Sequence, residues 1–211
     1  MPATASGCGL AEAAASPRPR LAVLVSGRGS NLQAILDAIA EGSLDAEIAG
    51  VFSDKPACPA LTRVPAPLRW SQQARSAPDR AAFDAALAEA VAASQPDWVI
   101  CAGYMRILGE GFVRRFADRL INIHPSLLPR HPGLHTHQRA LEAGDAEHGA
   151  SVHWVIPALD AGEVIAQVRI PILPGDDAAA LASRLLPAEH ALLLDVLRDA
   201  VAGRLSPPAS A

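Results

Sequence analysis

Asn122 and His124 stand two residues apart at the end of the apolar run Leu120-Ile121, followed at once by Pro125 and the loop Ser126-Leu127-Leu128-Pro129. In an extended strand, residues i and i+2 share a face, so the amide and the imidazole point the same way. An amide donor beside an imidazole suits an acyl carbonyl. The amide can hydrogen-bond a developing oxyanion while the imidazole donates to it or shuttles a proton. A lone histidine at a strand end is as readily structural; the neighbouring asparagine and the proline-braced loop tilt the reading toward chemistry.

A carboxylate lies farther along, in Leu159-Asp160-Ala161-Gly162. Asp160 either closes the turn that Gly162 makes, or reaches His124. In the second case it favours the imidazolium and raises the histidine pKa. Spacing leaves both open.

The other constellation is Gly27-Arg28-Gly29-Ser30-Asn31, directly after the β-branched run Leu21–Ser26. Glycines let backbone approach a ligand closely, and amides at a helix start attract an anion. Ser30 or Asn31 can cap the helix that follows. The dinucleotide pattern GxGxxG requires glycine where Leu32 stands, and the nucleoside triphosphate loop GxxxxGK[ST] is absent, so a single phosphate monoester is the better match. A tight turn and capped helix without ligand is the bland alternative.

The remaining histidines include His131, His135, His137, His148 and His153. His135-Thr136-His137 resembles half a metal site, but no HExxH or matched cysteine set accompanies it, and no metal is expected. Cys8, Cys58 and Cys101 are widely spaced with no CxxC pair, and read as reduced and structural. Cys101 ends the run Trp98-Val99-Ile100 as a small buried hydrophobe. Ser30 lies in no GxSxG elbow, which argues against a serine hydrolase.

Elements that can position these groups follow from periodicity. Leu21–Ser26, Glu47–Ser53, Trp98–Ala102, Leu120–Ile123, Ser151–Ile156 and Val164–Ile170 read as strands. Leu32, Ile35, Leu36 and Ile39 recur at helical spacing up to Gly42. Asp79 is a plausible N-cap for a helix burying Phe83, Leu87 and Val91. Further helices are expected near Glu110–Phe116 and from about Asp177 to Ala202. Lys55–Pro78, with five prolines, is assigned no regular structure, and the histidine-rich segment before Ser151 is read as a polar loop. Strands alternating with helices imply an α/β fold with a mostly parallel sheet, whose ligands bind outside the carboxyl ends of the strands.

Composition bounds the rest. The 211 residues support one domain, and 50% hydrophobic with 19% charged residues can bury a substantial core. A net charge of −4 argues against a general nucleic-acid binder. No apolar run reaches the roughly 18 residues of a membrane span. Residues 1–19, Ala/Ser/Pro-rich and without a basic n-region, read as a flexible tail rather than a secretory signal. Seventeen arginines against the single Lys55 suggest a GC-rich genome and say little about function.

Ser26–Ile35 (SGRGSNLQAI), Ala102–Leu108 (AGYMRIL), Ile121–Leu141 (INIHPSLLPRHPGLHTHQRAL), His148–Val155 (HGASVHWV) and Leu159–Gln167 (LDAGEVIAQ) together resemble the phosphoribosylglycinamide formyltransferase family. The resemblance spans about residues 20–205, while Lys55–Ala77 departs from the family pattern. It implies a Rossmann-like formyltransferase domain over 20–205, with a phosphate-binding N-terminal half, a folate-binding and catalytic C-terminal half, and a short tail over 206–211. It implies Asn122, His124 and Asp160 as the catalytic trio, with Asp160 raising the His124 pKa and orienting a proton relay through water. Gly27, Arg28, Gly29, Ser30, Asn31 and Glu189 would hold the ribonucleotide. Met105, Arg106, Ile107, Leu108, Ile156 and Arg80 would hold the folate beside Asn122 and Asp160, with Ser151 in a supporting place. The implied partners are 10-formyltetrahydrofolate as co-substrate and glycinamide ribonucleotide as acceptor, with neither nucleic acid, membrane nor metal, in a cytoplasmic monomer or homodimer of purine biosynthesis. Hydrolysis of the formyl-folate is the competing activity, and a non-catalytic folate-binding module a third reading.

Overall fold

Alternation along the first strand, β1 (Arg20–Val25), sends its side chains into two separate cores: Leu21, Val23 and Val25 into one, Ala22 and Leu24 into the other. A strand buried on both faces is the mark of a parallel sheet covered by helices on each side. The computed structural model describes residues 17–208, so most of the expected N-terminal tail, Cys8 and the last residues of the C-terminal tail lie outside the described residues.

After β1 come α1 (Ser30–Ala40), β2 (Glu47–Ser53), β3 (Arg69–Ser71), α2 (Arg80–Ala93), β4 (Trp98–Cys101), α3 (Glu110–Arg115), β5 (Leu120–His124), α4 (Thr136–Glu142), β6 (Glu147–Trp154), β7 (Val164–Pro171) and α5 (Ala178–Val201). The seven strands form one sheet in the order β3-β2-β1-β4-β5-β6-β7. The pairings from β3 through β5 are parallel, and β6 and β7 join antiparallel. The α/β, mostly parallel fold expected from the sequence is therefore the fold observed.

Leu32 and Ile35 of α1 and Leu185, Leu193 and Leu197 of α5 complete the first core; Phe83, Leu87 and Val91 of α2 and Phe112 and Val113 of α3 complete the second. Asp79 accepts from the Ala82 N–H at 2.7 Å and Asp177 from the Ala180 N–H at 2.7 Å, so both long helices start on a side-chain cap, each worth about 1 kcal/mol.

Two segments hold more structure than their sequences announce. Pro59–Arg63, Ala66–Leu68 and Ala74–Ser76 form 3-10 turns, and β3 adds to the sheet edge beside β2. Prolines erase helical periodicity there but suit short turns and an edge strand. The histidine-rich loop contains α4, whose seven residues bury only Thr136 and Ala140 and so leave no apolar stripe to detect. Ile156 falls beyond the end of β6, which starts at Glu147 rather than Ser151.

Candidate active site

The carboxyl ends of β1, β4 and β5 open into one cleft of about 750 Å³, within the range of small-molecule sites. Gly27–Asn31, Met105–Ile107, Asn122, His124, Asp160 and Glu189 all line it. A narrow recess of about 80 Å³ continues inward between Cys101, Leu108, Val113 and Val155.

The register of β5 and β6 builds the polar centre. Asn122 pairs with His153 and His124 with Ser151, so two residues on one face of β5 meet two on the same face of β6. Asn122 Nδ2 lies 3.0 Å from His153 Nε2, and His153 Nδ1 lies 2.8 Å from the Trp154 carbonyl. A carbonyl only accepts, so Nδ1 carries the hydrogen; Nε2 then accepts from the asparagine amide. One N–H of Asn122 is thereby committed and the other is left for the cleft.

Asp160 comes back over this pair from the loop after β6. Its backbone is left-handed, φ 47°, a conformation that aspartate tolerates better than most residues. Gly162 makes the return possible: a Cβ there would stand 1.8 Å from the Trp154 carbonyl oxygen. Asp160 Oδ2 accepts from the Gly133 N–H at 2.8 Å and lies 3.5 Å from His124 Nδ1. Of the two roles open to this carboxylate, the structure places it beside His124. Burial pushes the Asp160 carboxyl up, but its surroundings, among them the Gly133 N–H and His124, outweigh that and hold it below its ordinary value.

Asp160 raises the His124 pKa, as expected, but the net shift is downward. Burial is the largest influence and lowers it; the His131 carbonyl, 3.1 Å from Nε2, and the Asp160 charge raise it, yet the net value stays below the ordinary 6.5. His124 is only 6% exposed, and dehydrating an imidazolium there costs more than one carboxylate returns.

At the other end of the cleft, α1 starts on Gly29 itself rather than on a side-chain cap from Ser30 or Asn31. Gly29 is left-handed, φ 73°, and a Cβ on it would lie 2.5 Å from Ala60 Cβ, so glycine is required twice over. Asn31 reaches instead to α5: Nδ2 donates to Glu189 Oε1 at 2.7 Å, while the buried Asn31 Oδ1 has no partner among the described residues. Burial raises the Glu189 pKa, opposed by the Asn31 bond.

Met105–Leu108 follow β4 and form one wall. Met105 and Ile107 are 59% and 51% exposed, an apolar surface facing the cleft. The Met105 N–H donates to Ser26 Oγ at 2.9 Å, and Ser26 Oγ donates to the buried Asp54 at 2.6 Å, so this wall is tied to the end of β1. Arg80, first residue of α2, donates to the Ile107 carbonyl at 3.0 Å and so stands beside this wall. Arg106 stacks over Phe83, 5.1 Å from the ring centre. Ile156 and Leu159, both exposed, stand on the facing loop.

His131, His137 and His148 each meet a neighbour close by. His135 caps α4 in a left-handed conformation, while His137 Nδ1 meets His148 Nε2 at 2.8 Å. His131 Nε2 meets Asp145 Oδ2 at 2.7 Å. Sequence reasoning missed His153 as a partner of Asn122. The signal was the spacing of Ser151 and His153 along a strand, legible only once β6 is known to run antiparallel beside β5.

Residues 19–197 match the formyl transferase family. The phosphoribosylglycinamide formyltransferase of Escherichia coli (strain K12) is 45% identical over 187 residues, covering 88% of this chain and 88% of that one. The solved structure of the phosphoribosylglycinamide formyltransferase from Coxiella burnetii, in complex with CHES, superposes with a TM-score of 0.86 at 41% identity over 92% of each chain. A formyltetrahydrofolate deformylase from Pseudomonas syringae pv. tomato superposes with a TM-score of 0.81 at 26% identity, covering 90% of this chain and 63% of that one.

Proposed function

The chain belongs to the formyl transferase family, and from that premise we infer that it transfers the formyl group of 10-formyltetrahydrofolate to the amine of glycinamide ribonucleotide, in purine biosynthesis. The observation that carries this reading is a shared cleft: the glycine loop and the Asn122/His124/Asp160 group line one cavity, with an apolar wall between them. A hydrolase needs a place for the folate and for water; it has no use for an anion-binding loop opposite the carbonyl chemistry.

In this reading the ribonucleotide phosphate rests on Gly27–Asn31, with Glu189 beside its ribose or glycinamide end. The folate ring enters the recess behind Met105–Leu108 and faces Ile156, with Arg80 at the edge of that wall toward the glutamyl side. The substrate amine attacks the formyl carbon. The free Asn122 N–H donates to the oxyanion that forms, and the positive charge of protonated His124 in the same cleft stabilises it electrostatically. Asp160 orients His124 and favours its charged form, and Ser151 backs the same strand pair. Collapse expels N10 of the folate, and the proton lost by the attacking amine balances the one N10 gains. The phosphate is held by the N-terminal half and most of the folate by the C-terminal half, with Glu189 and Arg80 each crossing that division.

We place this chemistry in the cytoplasm; no helix among the described residues is long and apolar enough to cross a membrane.

The test mixes purified protein with 10-formyltetrahydrofolate, with and without glycinamide ribonucleotide, and follows tetrahydrofolate by absorbance and formate separately. Tetrahydrofolate that appears only with the ribonucleotide, without formate, is expected. Equal turnover without the acceptor, releasing formate, would make the protein a deformylase and overturn the assignment of the glycine loop.

A further inference from the structure

The proline-rich segment between β2 and β3 grips the back of the glycine loop one carbonyl at a time. Lys55 Nζ donates to the Ser26 carbonyl at 3.3 Å. The Gly27 carbonyl accepts twice, from Cys58 Sγ at 3.2 Å and from the Ala60 N–H at 3.2 Å. Arg63 Nε donates to the Arg28 carbonyl at 2.9 Å, and its Nη1 donates to Gln33 Oε1 of α1 at 2.6 Å. Three consecutive carbonyls are thus tied to one side.

A trans peptide is planar, with its C=O and N–H pointing in opposite directions. Tying the carbonyls of Ser26, Gly27 and Arg28 to this segment therefore turns the N–H groups of Gly27, Arg28 and Gly29 away from it, toward the cleft that these residues line. Among the described residues none of the three N–H groups has an acceptor. Such a row of convergent amides continues into the unpaired N–H groups at the start of α1, and together they form an anion-binding concavity.

We propose that Lys55, Cys58 and Arg63 are positioning residues for phosphate recognition, with Arg63 as the principal one because it joins the loop to α1. They touch the loop from behind and hold its amides convergent, so they govern affinity for the phosphorylated substrate and leave the chemical step alone. This inference rests on the reading of Gly27–Asn31 as the phosphate loop.

The experiment compares kcat/KM for glycinamide ribonucleotide with that for its dephosphorylated ribonucleoside, in wild type, Arg63→Met and Lys55→Met. Both side chains are exposed, and the ratio does not depend on how much of a preparation is folded. Arg63→Met should cut the preference for the phosphorylated substrate about tenfold, the worth of one charge-assisted hydrogen bond, with kcat and the folate KM unchanged. Lys55→Met should cut it less. The same measurement in 1 M KCl separates bracing from simple attraction, because the Debye length there is about 3 Å. A difference that persists in salt supports the brace, and one that vanishes assigns Arg63 a charge role only and overturns it. Variants that discriminate as well as wild type overturn the brace alone. A wild type indifferent to the phosphate overturns the phosphate-loop reading as well.

Discussion

Asn122 donates to His153 across the β5–β6 ladder, and the Trp154 carbonyl fixes the tautomer that accepts the bond. The asparagine amide is thereby held in one orientation before any substrate arrives. That is the preorganisation an oxyanion donor needs, since a donor already aimed pays no reorganisation cost when charge develops.

Asn122→Ala should accordingly lower kcat by about 10²–10³-fold, the usual loss for an oxyanion donor. His153→Phe keeps the ring and removes the acceptor; it should cost less and act mainly on kcat, since Asn122 retains its N–H groups but not their aim. Steady-state kinetics on both variants decide this. A near-wild-type rate for Asn122→Ala would remove it from the chemistry.

His124 sets a pH dependence whose sign follows from its surroundings. Burial, the larger influence, holds it below 6.5, and Asp160 pulls it part of the way back. If the imidazolium serves the oxyanion, kcat/KM, which reports the free enzyme, carries a limb that declines as pH rises through a value under 6.5. The substrate amine, needed unprotonated, supplies the opposing limb. Asp160→Asn removes the charge that raises His124, so the declining limb should move to lower pH and the rate at neutral pH should fall. A limb that moved upward would contradict the pairing of His124 with Asp160.

Stability should respond to acid through a different pair. His148 is pushed down to about 4, first by burial and then by His137, which is itself lowered by burial and by His124. An unfolded histidine takes up its proton near pH 6.5, whereas folded His148 resists until about 4. Stability is therefore full above pH 6.5, falls as pH drops toward 4, and levels off below. Asp145, Asp160 and Asp176, all held below the ordinary 3.8, lose their contributions only in stronger acid. The melting temperature should decline by several degrees across the histidine window. His148→Gln should flatten that slope, and an unchanged slope would assign it elsewhere.

Much of this architecture was legible in the chain. Apolar runs such as Leu21–Val25 and Trp98–Cys101 announced a sheet covered on both faces, and Asp79 and Asp177 marked their helix starts correctly. The i, i+2 spacing of Asn122 and His124 was enough to put both in one cleft. What stayed hidden depends on contacts distant in sequence. His153 meets Asn122 only through antiparallel pairing, and Arg63 reaches Arg28 from a segment where prolines obscure any period. Asp160 raises the His124 pKa as read from the chain, but the larger opposing effect of burial is a property of the folded chain and was not legible there.

Gly29→Ala tests the glycine loop from its front. The substitution forces a side chain into a left-handed backbone and within 2.5 Å of Ala60 Cβ. The backbone strain alone is worth about 1–3 kcal/mol, and the melting temperature should fall by about 2–4 °C for each kcal/mol. The ribonucleotide KM should rise with it. Adding Ala60→Gly removes the closest contact, leaving the Ala60 Cα at 3.1 Å and the dihedral unrelieved, so it should recover part of the melting temperature. Full recovery would show that crowding, not backbone conformation, selects glycine.

Arg80 offers the matching test at the folate wall. It holds the Ile107 carbonyl at 3.0 Å and stands 3.6 Å from the carboxylate of Asp84, which burial raises above its ordinary value. A planar guanidinium can hold both acceptors at once, whereas an ammonium is a single point charge. Arg80→Ala should therefore raise the folate KM about tenfold, the cost of one charge-assisted bond, and leave the ribonucleotide KM unchanged. Arg80→Lys should recover little of that loss. The side chain is largely exposed, so the melting temperature should hardly move. A rise in the ribonucleotide KM instead would mean that the wall at Met105–Leu108 faces the acceptor, and the two substrates would have to exchange places in the cleft.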